Sequence, residues 1–368
     1  MKVAIITIND NNNYGNRLQN YALQIFLKHY IDVVETIWYD DLTNFELKNI
    51  INLKSIIKYL INRNGYRDYL KKQYLKECIK TYNIKSFSQK YININFVNDV
   101  NEIVSQYDYF IAGSDQIWNP DFWLKKNHAN IRFLKFVSKE KRIAYAASIA
   151  IPKIPKDKEQ FFKDSLNEMK LISMREKAGA DLVKNLISKD VSVVVDPTIL
   201  LSKEEWKKIE SRPEWYNDEK YILTYFLGNS SSAVENLAKK NNCKIYNLMD
   251  SDNLNLYASK VEEFVFLIDH AQLVVTDSFH ACVFSILMNT PFLVINRQQK
   301  GVADMTSRID TLLNLFGYKN RYIVNGKCEL SDEEILNMDF SNVKTIQEQE
   351  KKHSKDFLGK ALNLKINK

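Results

Sequence analysis

The sequence is poor in the residues that define several common protein classes. Its 368 residues include only 4 Cys, 9 Gly and 6 Pro. The cysteines are far apart and form no C-x-x-C pair, so they predict neither a zinc site nor a disulfide framework. The scarcity of Gly and Pro excludes collagen-like and low-complexity chains. No internal repeat is found, which argues against a repeat array.

Long hydrophobic runs are also lacking. No stretch approaches the roughly 18 uninterrupted apolar residues that a membrane-spanning helix needs. The apolar run at residues 3–8 is too short for the core of a signal peptide and has no small-residue cleavage site. We therefore expect a cytoplasmic protein.

Aromatic and apolar residues are abundant. The chain contains 20 Tyr, 19 Phe and 5 Trp, and 45% of its residues are hydrophobic. This composition excludes an intrinsically disordered chain, because it supplies ample material for a core. At about 150 residues per domain, the length predicts two domains.

The positive charge is concentrated in one segment. Lys and Arg number 52 against 45 Asp and Glu, a net charge of +7. Residues 54–90 alone carry ten Lys or Arg and two acids, interleaved with apolar residues at roughly helical spacing. Such a segment is either a solvated lysine-rich helix face, the commoner case, or a peripheral contact for anionic lipid heads or a diphosphate. The sequence carries no known nucleic-acid motif, so we expect no nucleic-acid partner.

Short β-branched runs alternate with amphipathic helical patterns, which predicts an α/β protein with parallel sheets. In the first half the predicted strands are 3–8, 33–39, 107–112, 142–148, 170–174 and 191–195. The rhythm restarts in the second half, with strands 221–226, 244–248, 273–276 and 291–296. Segment 196–218, with two Pro and two Trp, is the predicted link.

This pattern predicts two Rossmann-like domains that face a central cleft, over residues 1–200 and 216–340. The tail 341–368 is predicted to form a helix that packs back on the first domain. Ligands of open parallel sheets bind at the carboxyl ends of the strands. Polar motifs fall at four of those ends, so we expect a functional cleft between the domains.

The motif after the first strand contains Gly15 and Asn16 just before a predicted helix. A glycine lets the backbone approach a ligand, and the helix N-terminus favours an anion. Asn16 is a candidate donor to a sugar or phosphate oxygen. A plain glycine turn with an asparagine cap explains the motif equally well.

The motif GSDQIWNP follows the strand at 107–112. Asp115, Gln116 and Trp118 combine a carboxylate, an amide and an indole within four positions. Sugar hydroxyls bind Asp and Gln, and sugar C–H faces stack on Trp. Asp115 is a candidate general base for a hydroxyl. The alternative is a capped turn with a buried Trp.

Two further strand ends carry Arg175 and His280. An Arg at such an end can hold a carboxylate or phosphate through two hydrogen bonds, or it forms a structural ion pair with Glu176 or another acid. His280 stands at the head of an apolar helix, where it is either a proton donor near neutral pH or a helix-capping residue.

Taken together, these motifs resemble a known family. NYGNRLQNYALQ, FIAGSDQIWNP, KRIAYAASI, SMREKAGADLV, VVVDPTILL and TDSFHACVFSILMNTPFLVI occur in the order seen in polysaccharide pyruvyl transferases, from about residue 3 to residue 325. That family is similar in fold to GT-B glycosyltransferases, with an acceptor-side N-terminal and a donor-side C-terminal domain.

The resemblance implies transfer of the enolpyruvyl unit of phosphoenolpyruvate to a hexose, which forms a pyruvate ketal. The saccharide acceptor is often carried on a polyprenyl diphosphate. No metal and no cofactor is implied beyond phosphoenolpyruvate as donor substrate. The family's histidine corresponds to His280 and its strand-end arginine to Arg175.

The sequence departs from the family at Ser278, where many members have an arginine. We expect Arg308 or Arg297 to supply the missing charge beside Ser278. Two other interpretations fit the architecture. One is a GT-B-type glycosyltransferase that uses a sugar nucleotide, and the other is a non-catalytic carbohydrate-binding protein.

Overall fold

The computed structural model describes residues 1–39, 63–123, 128–227, 233–296, 306–323 and 328–364, with backbone only for 63–69, 233 and 306. Residues 54–62 of the basic segment therefore lie outside the described residues, and so does Arg297.

The N-terminal unit is built on one parallel sheet. Within the described residues its strands are β1 (Lys2–Ile6), β2 (Val33–Tyr39), β3 (Ile94–Val97), β4 (Tyr109–Ala112), β5 (Arg142–Ala147), β6 (Leu171–Met174) and β7 (Ser192–Val193). They are arranged in the order β3-β2-β1-β4-β5-β6-β7. Strands β1 and β5 are almost wholly buried, as expected for central strands covered on both faces.

The helices of this unit lie between its strands. They are α1 (Tyr14–Lys28), α2 (Arg63–Tyr91), α3 (His128–Arg132), α4 (Lys156–Asn167) and α5 (Lys177–Ile187). Short 3-10 turns span Val100–Ile103, Pro120–Phe122, Lys139–Lys141 and Pro197–Leu200. Helix α6 (Lys203–Lys207) lies in the link and begins with a Ser202–Glu205 capping box.

The C-terminal unit repeats the design on a smaller scale. Its described strands are β8 (Tyr221–Tyr225), β9 (Lys244–Asn247), β10 (Leu273–Thr276), β11 (Phe292–Ile295) and β12 (Tyr322–Ile323), in the order β12-β11-β10-β8-β9. The helices are α7 (Ala233–Lys240), α8 (Leu254–Tyr257), α9 (Val261–Asp269), α10 (Phe279–Met288), α11 (Thr306–Phe316) and α12 (Asp332–Leu336), and a 3-10 turn spans Lys319–Arg321.

The two units pack against each other through aromatic side chains. Tyr14 at the start of α1 stacks on Phe264 of α9 at 4.8 Å and meets Tyr225 edge-on at 5.9 Å. One buried apolar cluster runs through both units. The carboxyl ends of β1 and β10 are therefore held face to face.

Helix α13 (Val343–Leu362) returns from the C-terminal to the N-terminal unit. Gln347 Nε2 donates to the carbonyls of Ile199 at 2.9 Å and Leu201 at 2.8 Å. Lys170 Nζ donates to the Ala361 carbonyl at 2.7 Å. The tail thus fastens the link to the first sheet.

The described part of the basic segment belongs to α2, and one face of it contacts the C-terminal unit. Asn83 Nδ2 donates to the Ala258 carbonyl at 2.6 Å, and Lys76 pairs with Asp252 at 3.6 Å. The opposite face is exposed and combines lysines with apolar side chains, namely Lys71, Lys72, Tyr74, Leu75, Tyr82 and Lys85.

The predicted architecture of two parallel sheets is confirmed. The predicted strands run one or two residues too long at one or both ends, except 33–39 and 273–276, which match. Strands β3 and β12 were not predicted from the sequence. Both lie at sheet edges, where a strand needs less apolar character.

Candidate active site

The polar motifs converge at the carboxyl ends of β1, β4, β6, β7 and β10. After β4 the chain turns at Gly113, whose φ is +139° and where a Cβ would lie 2.0 Å from the Tyr145 carbonyl oxygen. Only glycine fits there. The turn delivers Asp115, itself at φ 59°, a region that few non-glycine residues adopt. Such conformations are concentrated at functional sites.

Arg175, directly after β6, is the centre of a buried ion-pair network. Its Nη1 donates to Asp196 Oδ2 at 2.7 Å and its Nη2 to Asp115 Oδ1 at 3.2 Å. Its Nε lies 3.9 Å from Glu176 Oε2. Burial alone lowers the pKa of Arg175, but the three carboxylates reverse this effect and raise it. Arg175 therefore already holds acidic partners within the protein.

His280 enters this network from the other unit. Its Nε2 lies 3.6 Å from Asp196 Oδ2, an ion-pair distance rather than a hydrogen bond. The imidazole packs directly on Gly15, where a Cβ would come within 2.1 Å of His280 Cγ. Gly15 is thus required by the close approach of helices α1 and α10. This contact explains the glycine of the first motif.

Asp196 joins the two units electrostatically. Burial raises its pKa, but His280, Arg175 and the backbone N–H of Thr198 together hold that pKa well below its usual range. The Thr198 N–H donates to Oδ1 at 3.0 Å. Ser114 Oγ lies 3.3 Å from Oδ2 and donates to it. Asp196 is therefore a permanent anion beside His280.

Asp115 is also a buried carboxylate with cationic neighbours. Burial raises its pKa, and Arg175, His280 and Arg308 more than offset this and lower it. Arg308 Nη1 lies 3.9 Å from Oδ1, and Asn16 Nδ2 donates to Oδ2 at 3.3 Å. At neutral pH Asp115 is ionised, so it can accept a proton, although only as a weak base.

The remaining predicted residues occupy different surroundings. Ser278 is the N-cap of α10, and its Oγ accepts from the Ala281 N–H at 3.5 Å, so it supplies no charge. Arg308 is buried near Asp115, and its role as the replacement cation stays a prediction. Gln116 is partly exposed, and its Oε1 accepts from Asn119 Nδ2 at 2.9 Å.

Trp118 has a packing role in this structure. Its side chain is 0% exposed and stacks on Phe133 at 4.9 Å, while Nε1 donates to the Arg132 carbonyl at 3.2 Å. Both indole faces lie in the core, so Trp118 does not present a face to a sugar. The alternative of a capped turn with a buried Trp describes this position.

A cavity of about 460 Å³ opens beside the network, between β7, α11 and α13. Arg175, Asp196 and Phe279 form its inner wall, and Arg308 and Lys177 supply cationic groups at its lining. The rest of the lining is mainly apolar. Asp196 and Glu350 add two carboxylates to this lining, so the cavity combines charges of both signs with apolar walls.

Sequence reasoning missed Asp196, and it considered Glu176 only as an ion-pair partner of Arg175. Asp196 stands in the motif VVVDPTILL, which was interpreted only as a strand followed by a turn. Its position after a predicted strand is the same signal that identified Asp115 and Arg175. Glu176 accepts from Ser148 Oγ at 2.9 Å and follows Arg175 directly.

The described residues contain one cluster with metal-ligand geometry, Glu210, Asp269 and His270, in the link and at the end of α9. Asp269 pairs with Lys203 at 3.0 Å and Lys207 at 2.9 Å. Because two ammonium groups already neutralise that carboxylate, the cluster is poorly suited to a cation.

Comparison with known proteins supplies the family. The family model described as polysaccharide pyruvyl transferase matches residues 13–299. The chain belongs to the polysaccharide pyruvyl transferase family. The match includes Gly15, Asp115, Arg175, Asp196 and His280. Membership of this family identifies the protein as a transferase that acts in polysaccharide modification.

One solved structure that is similar to this chain reaches a TM-score of 0.50 and supports the fold. A UDP-bound structure of MnaA from S. aureus has a TM-score of 0.50 and 13% identity, and covers 100% of this chain and 99% of its own. Anabaena HepE, bound to UDP, has a TM-score of 0.47 and 10% identity, with 99% and 100% coverage. MurG from Acinetobacter baumannii has a TM-score of 0.39 and 9% identity, with 99% and 100% coverage. The architecture is GT-B-like.

No curated protein matches the sequence. A search for membrane spans among the described helices finds none that combines enough length with enough apolar character to cross a bilayer.

Proposed function

We propose that this protein transfers the enolpyruvyl group of phosphoenolpyruvate to a hexose of a cell-surface polysaccharide or of its lipid-linked repeat unit, forming a pyruvate ketal. The observation that carries the proposal is the buried cluster of His280, Asp115, Arg175 and Asp196. It joins a proton donor, a proton acceptor and a cation at strand ends of both units, in a chain of this family.

The chemistry requires acid and base groups and an anion site. Protonation of the methylene carbon of phosphoenolpyruvate makes C2 electrophilic, and one sugar hydroxyl adds there. Phosphate leaves as the second hydroxyl closes the ketal. One hydroxyl proton is thereby balanced by the proton gained at the methyl carbon, and the other leaves with phosphate. His280 is the proton donor and Asp115 accepts the hydroxyl proton.

Asp196 is the positioning residue for His280. It lies 3.6 Å from Nε2 and is fixed in place by Arg175, Thr198 and Ser114. A carboxylate beside an imidazole fixes the orientation of its ring. This arrangement favours His280 as the acid of the first step.

Arg175 and Arg308 hold the carboxylate and phosphate of the donor. Both guanidinium groups lie over the Phe279 ring, with Cζ at 4.4 Å and 5.9 Å from its centroid. Both also face Asp115. A donor that binds here competes with Asp115 for the two arginines. Such competition would free the Asp115 carboxylate to meet a sugar hydroxyl.

The acceptor binds from the N-terminal side, near Asn16 and Gln116. We place the reaction on the cytoplasmic side of the membrane, with the exposed face of α2 as a peripheral contact to anionic lipid. Its lysines and exposed Tyr74, Leu75 and Tyr82 are the residue types that such contacts use.

The test is a thermal-shift comparison of phosphoenolpyruvate with a panel of sugar nucleotides, each with and without a divalent metal. We expect stabilisation by phosphoenolpyruvate alone, lost in Arg308→Gln. Arg321→Gln is the matched control, because Arg321 is buried in the same unit but donates to the carbonyls of Ile335 and Glu334. It should retain the response.

Two results would contradict the proposal. A response only to a sugar nucleotide favours a glycosyltransferase. Binding of acidic glycans with no phosphate release from phosphoenolpyruvate favours a carbohydrate-binding protein. Phosphate release coupled to a saccharide acceptor, and abolished in His280→Gln, supports pyruvyl transfer.

A further inference from the structure

Two buried arginines of the N-terminal unit lie outside the Arg175 network. Arg17 is in the first turn of α1 and is 0% exposed, and Arg132 ends α3 and is 4% exposed. In the described structure, Nε and Nη1 of both guanidinium groups have no hydrogen-bond partner. Buried donors without partners are rare in native proteins and call for an explanation.

The charges around these two arginines do not balance. Asp10, partly exposed at the carboxyl side of β1, acts electrostatically on both, and Asp115 acts on Arg17. Burial outweighs these carboxylates and lowers the pKa of each arginine to about 10. Both arginines are therefore cationic at neutral pH, with less anionic compensation than Arg175 receives.

Arg142 shows that a buried arginine of this unit can find a partner for every nitrogen. Its Nη1 donates to Glu168 at 2.7 Å, its Nε to the Val137 carbonyl at 2.7 Å, and its Nη2 to the same carbonyl. Arg17 and Arg132 differ from it because each has two guanidinium nitrogens without a partner in the described structure.

We propose that Arg17 and Arg132 bind a phosphate group of the saccharide acceptor. A guanidinium group donates two parallel hydrogen bonds to a phosphate. The N-terminus of the 15-residue helix α1 adds a favourable dipole. That the phosphate belongs to the acceptor rests on the proposed function. The binding of a phosphate oxyanion does not.

The location of this phosphate site suits an acceptor. Arg17 Nη2 donates to Asn16 Oδ1, and Asn16 Nδ2 donates to Asp115 Oδ2 at 3.3 Å. The site is therefore one side chain away from the proposed base, and it belongs to the N-terminal unit. Arg308, proposed to hold the donor, belongs to the C-terminal unit. The substrate class is a saccharide phosphate or diphosphate ester.

The experiment measures Tm during titration with inorganic pyrophosphate, against sodium chloride of matched ionic strength. It is run on the wild type and on Arg308→Gln, so that binding at the proposed donor site does not contribute. We expect pyrophosphate to raise Tm in both proteins. No pyrophosphate-specific shift in Arg308→Gln overturns the proposal without any variant of the new site.

The variant Arg132→Met, in the Arg308→Gln background, tests the residue itself. Removing an uncompensated buried charge should raise Tm without anions, while weakening pyrophosphate binding about tenfold or more. The control Arg142→Met should do the opposite, lowering Tm and leaving pyrophosphate binding unchanged. Unchanged pyrophosphate binding in Arg132→Met overturns the proposal, whatever happens to Tm. If that variant fails to fold, Arg17→Met is read by the same criterion.

A second arm identifies the source of the phosphate. We expect glucose 1-phosphate to bind to Arg308→Gln and to lose binding in the added Arg132→Met variant. Binding of inorganic phosphate with exclusion of glucose 1-phosphate overturns the assignment to the acceptor, since the site would then fit released phosphate. Loss of phosphoenolpyruvate binding in Arg132→Met with wild-type Arg308 would instead overturn the donor site given under the proposed function.

Discussion

Arg175 and Arg132 are both buried guanidinium groups of the N-terminal unit, yet their surroundings are opposite. Arg175 touches Asp115, Asp196 and Glu176, and these carboxylates raise its pKa. Arg132 has unpartnered donors, and burial lowers its pKa to about 10. Arg175 is thus part of a closed network of ion pairs with the protein's own carboxylates, whereas Arg132 has donors without a partner in the described structure.

Burial alone therefore does not tell how far the protein itself compensates the charge of an arginine. In the closed network, removal of one member leaves the others buried and unpaired, which is strongly destabilising. Arg17 and Arg132 have less anionic compensation, so removal of either one relieves buried positive charge. The two regions should therefore respond to substitution with opposite signs of the change in stability.

The largest effect is expected for Asp196→Asn, which breaks the closed network. Loss of this anion leaves Arg175 and His280 without it, so the free energy of unfolding should fall by about 3–5 kcal/mol. Turnover should fall about 10²–10⁴-fold, because His280 loses the carboxylate that orients it. Urea denaturation and a phosphate-release assay measure the two quantities.

The control for Asp196→Asn is Asp218→Asn. Asp218 also pairs with an arginine at 2.7 Å, Arg212, but both side chains are exposed. Its loss should have little effect on stability, because solvent screens an exposed ion pair. Equal effects of the two substitutions would mean that the buried network has no special importance.

A smaller effect is expected for Gly15→Ala. The new Cβ would lie 2.1 Å from His280 Cγ, so the imidazole must move away from Asp196. We expect a loss of about 1–3 kcal/mol in stability from overpacking, with a clear fall in kcat. Gly317→Ala is the control, because its φ is +78° and no atom lies within 4 Å of its Cβ position. It should lower stability by about 1 kcal/mol and leave kcat unchanged.

The pH dependence of stability should also differ between Asp115 and Arg132. The pKa of Asp115 is lowered in the folded protein, so its stabilising contribution is present above its unfolded pKa of about 3.9 and is lost as pH falls below that value. The stability difference between wild type and Asp115→Asn should be constant above about pH 5 and shrink toward pH 3.

For Arg132→Met, the stability difference from the wild type should stay flat from pH 5 to 8, since an arginine with a pKa of about 10 does not titrate there. A sloping profile for Arg132→Met would contradict the simple charge argument.

Much of the fold and of the candidate site could be predicted from the sequence. Buried parallel strands are recognisable as short apolar runs, and polar residues follow them at their ends. Asp115, Arg175 and His280 were identified in this way, and the structure brings them together. The edge strands β3 and β12 were not predicted because they are short.

Other features of the site could not be predicted. Trp118 stands among polar residues in the sequence, but its burial against Phe133 depends on contacts made by distant parts of the chain. Whether Arg17 and Arg132 have partners depends on interatomic distances, which no spacing pattern encodes. Asp196 lies between these cases, since it follows a strand but is adjacent to a proline that also explains a turn.

The smallest effect is expected at the surface, where charge is exposed to solvent. Lys71 and Lys72 on the exposed face of α2 have no ion pair with any residue in the described part of the chain, whereas Lys76 pairs with Asp252 at 3.6 Å. Replacing Lys71 and Lys72 by Gln should weaken binding to anionic phosphatidylserine vesicles about 30-fold, at roughly 1 kcal/mol per lysine, and change stability by less than about 0.5 kcal/mol. Lys76→Gln should have the weaker effect on vesicle binding, because its charge is already partly neutralised. Sedimentation with vesicles at two salt concentrations measures this. Unchanged partitioning of the double variant would make the exposed face of α2 a solvated surface, and the lipid contact would then have to lie elsewhere on the protein.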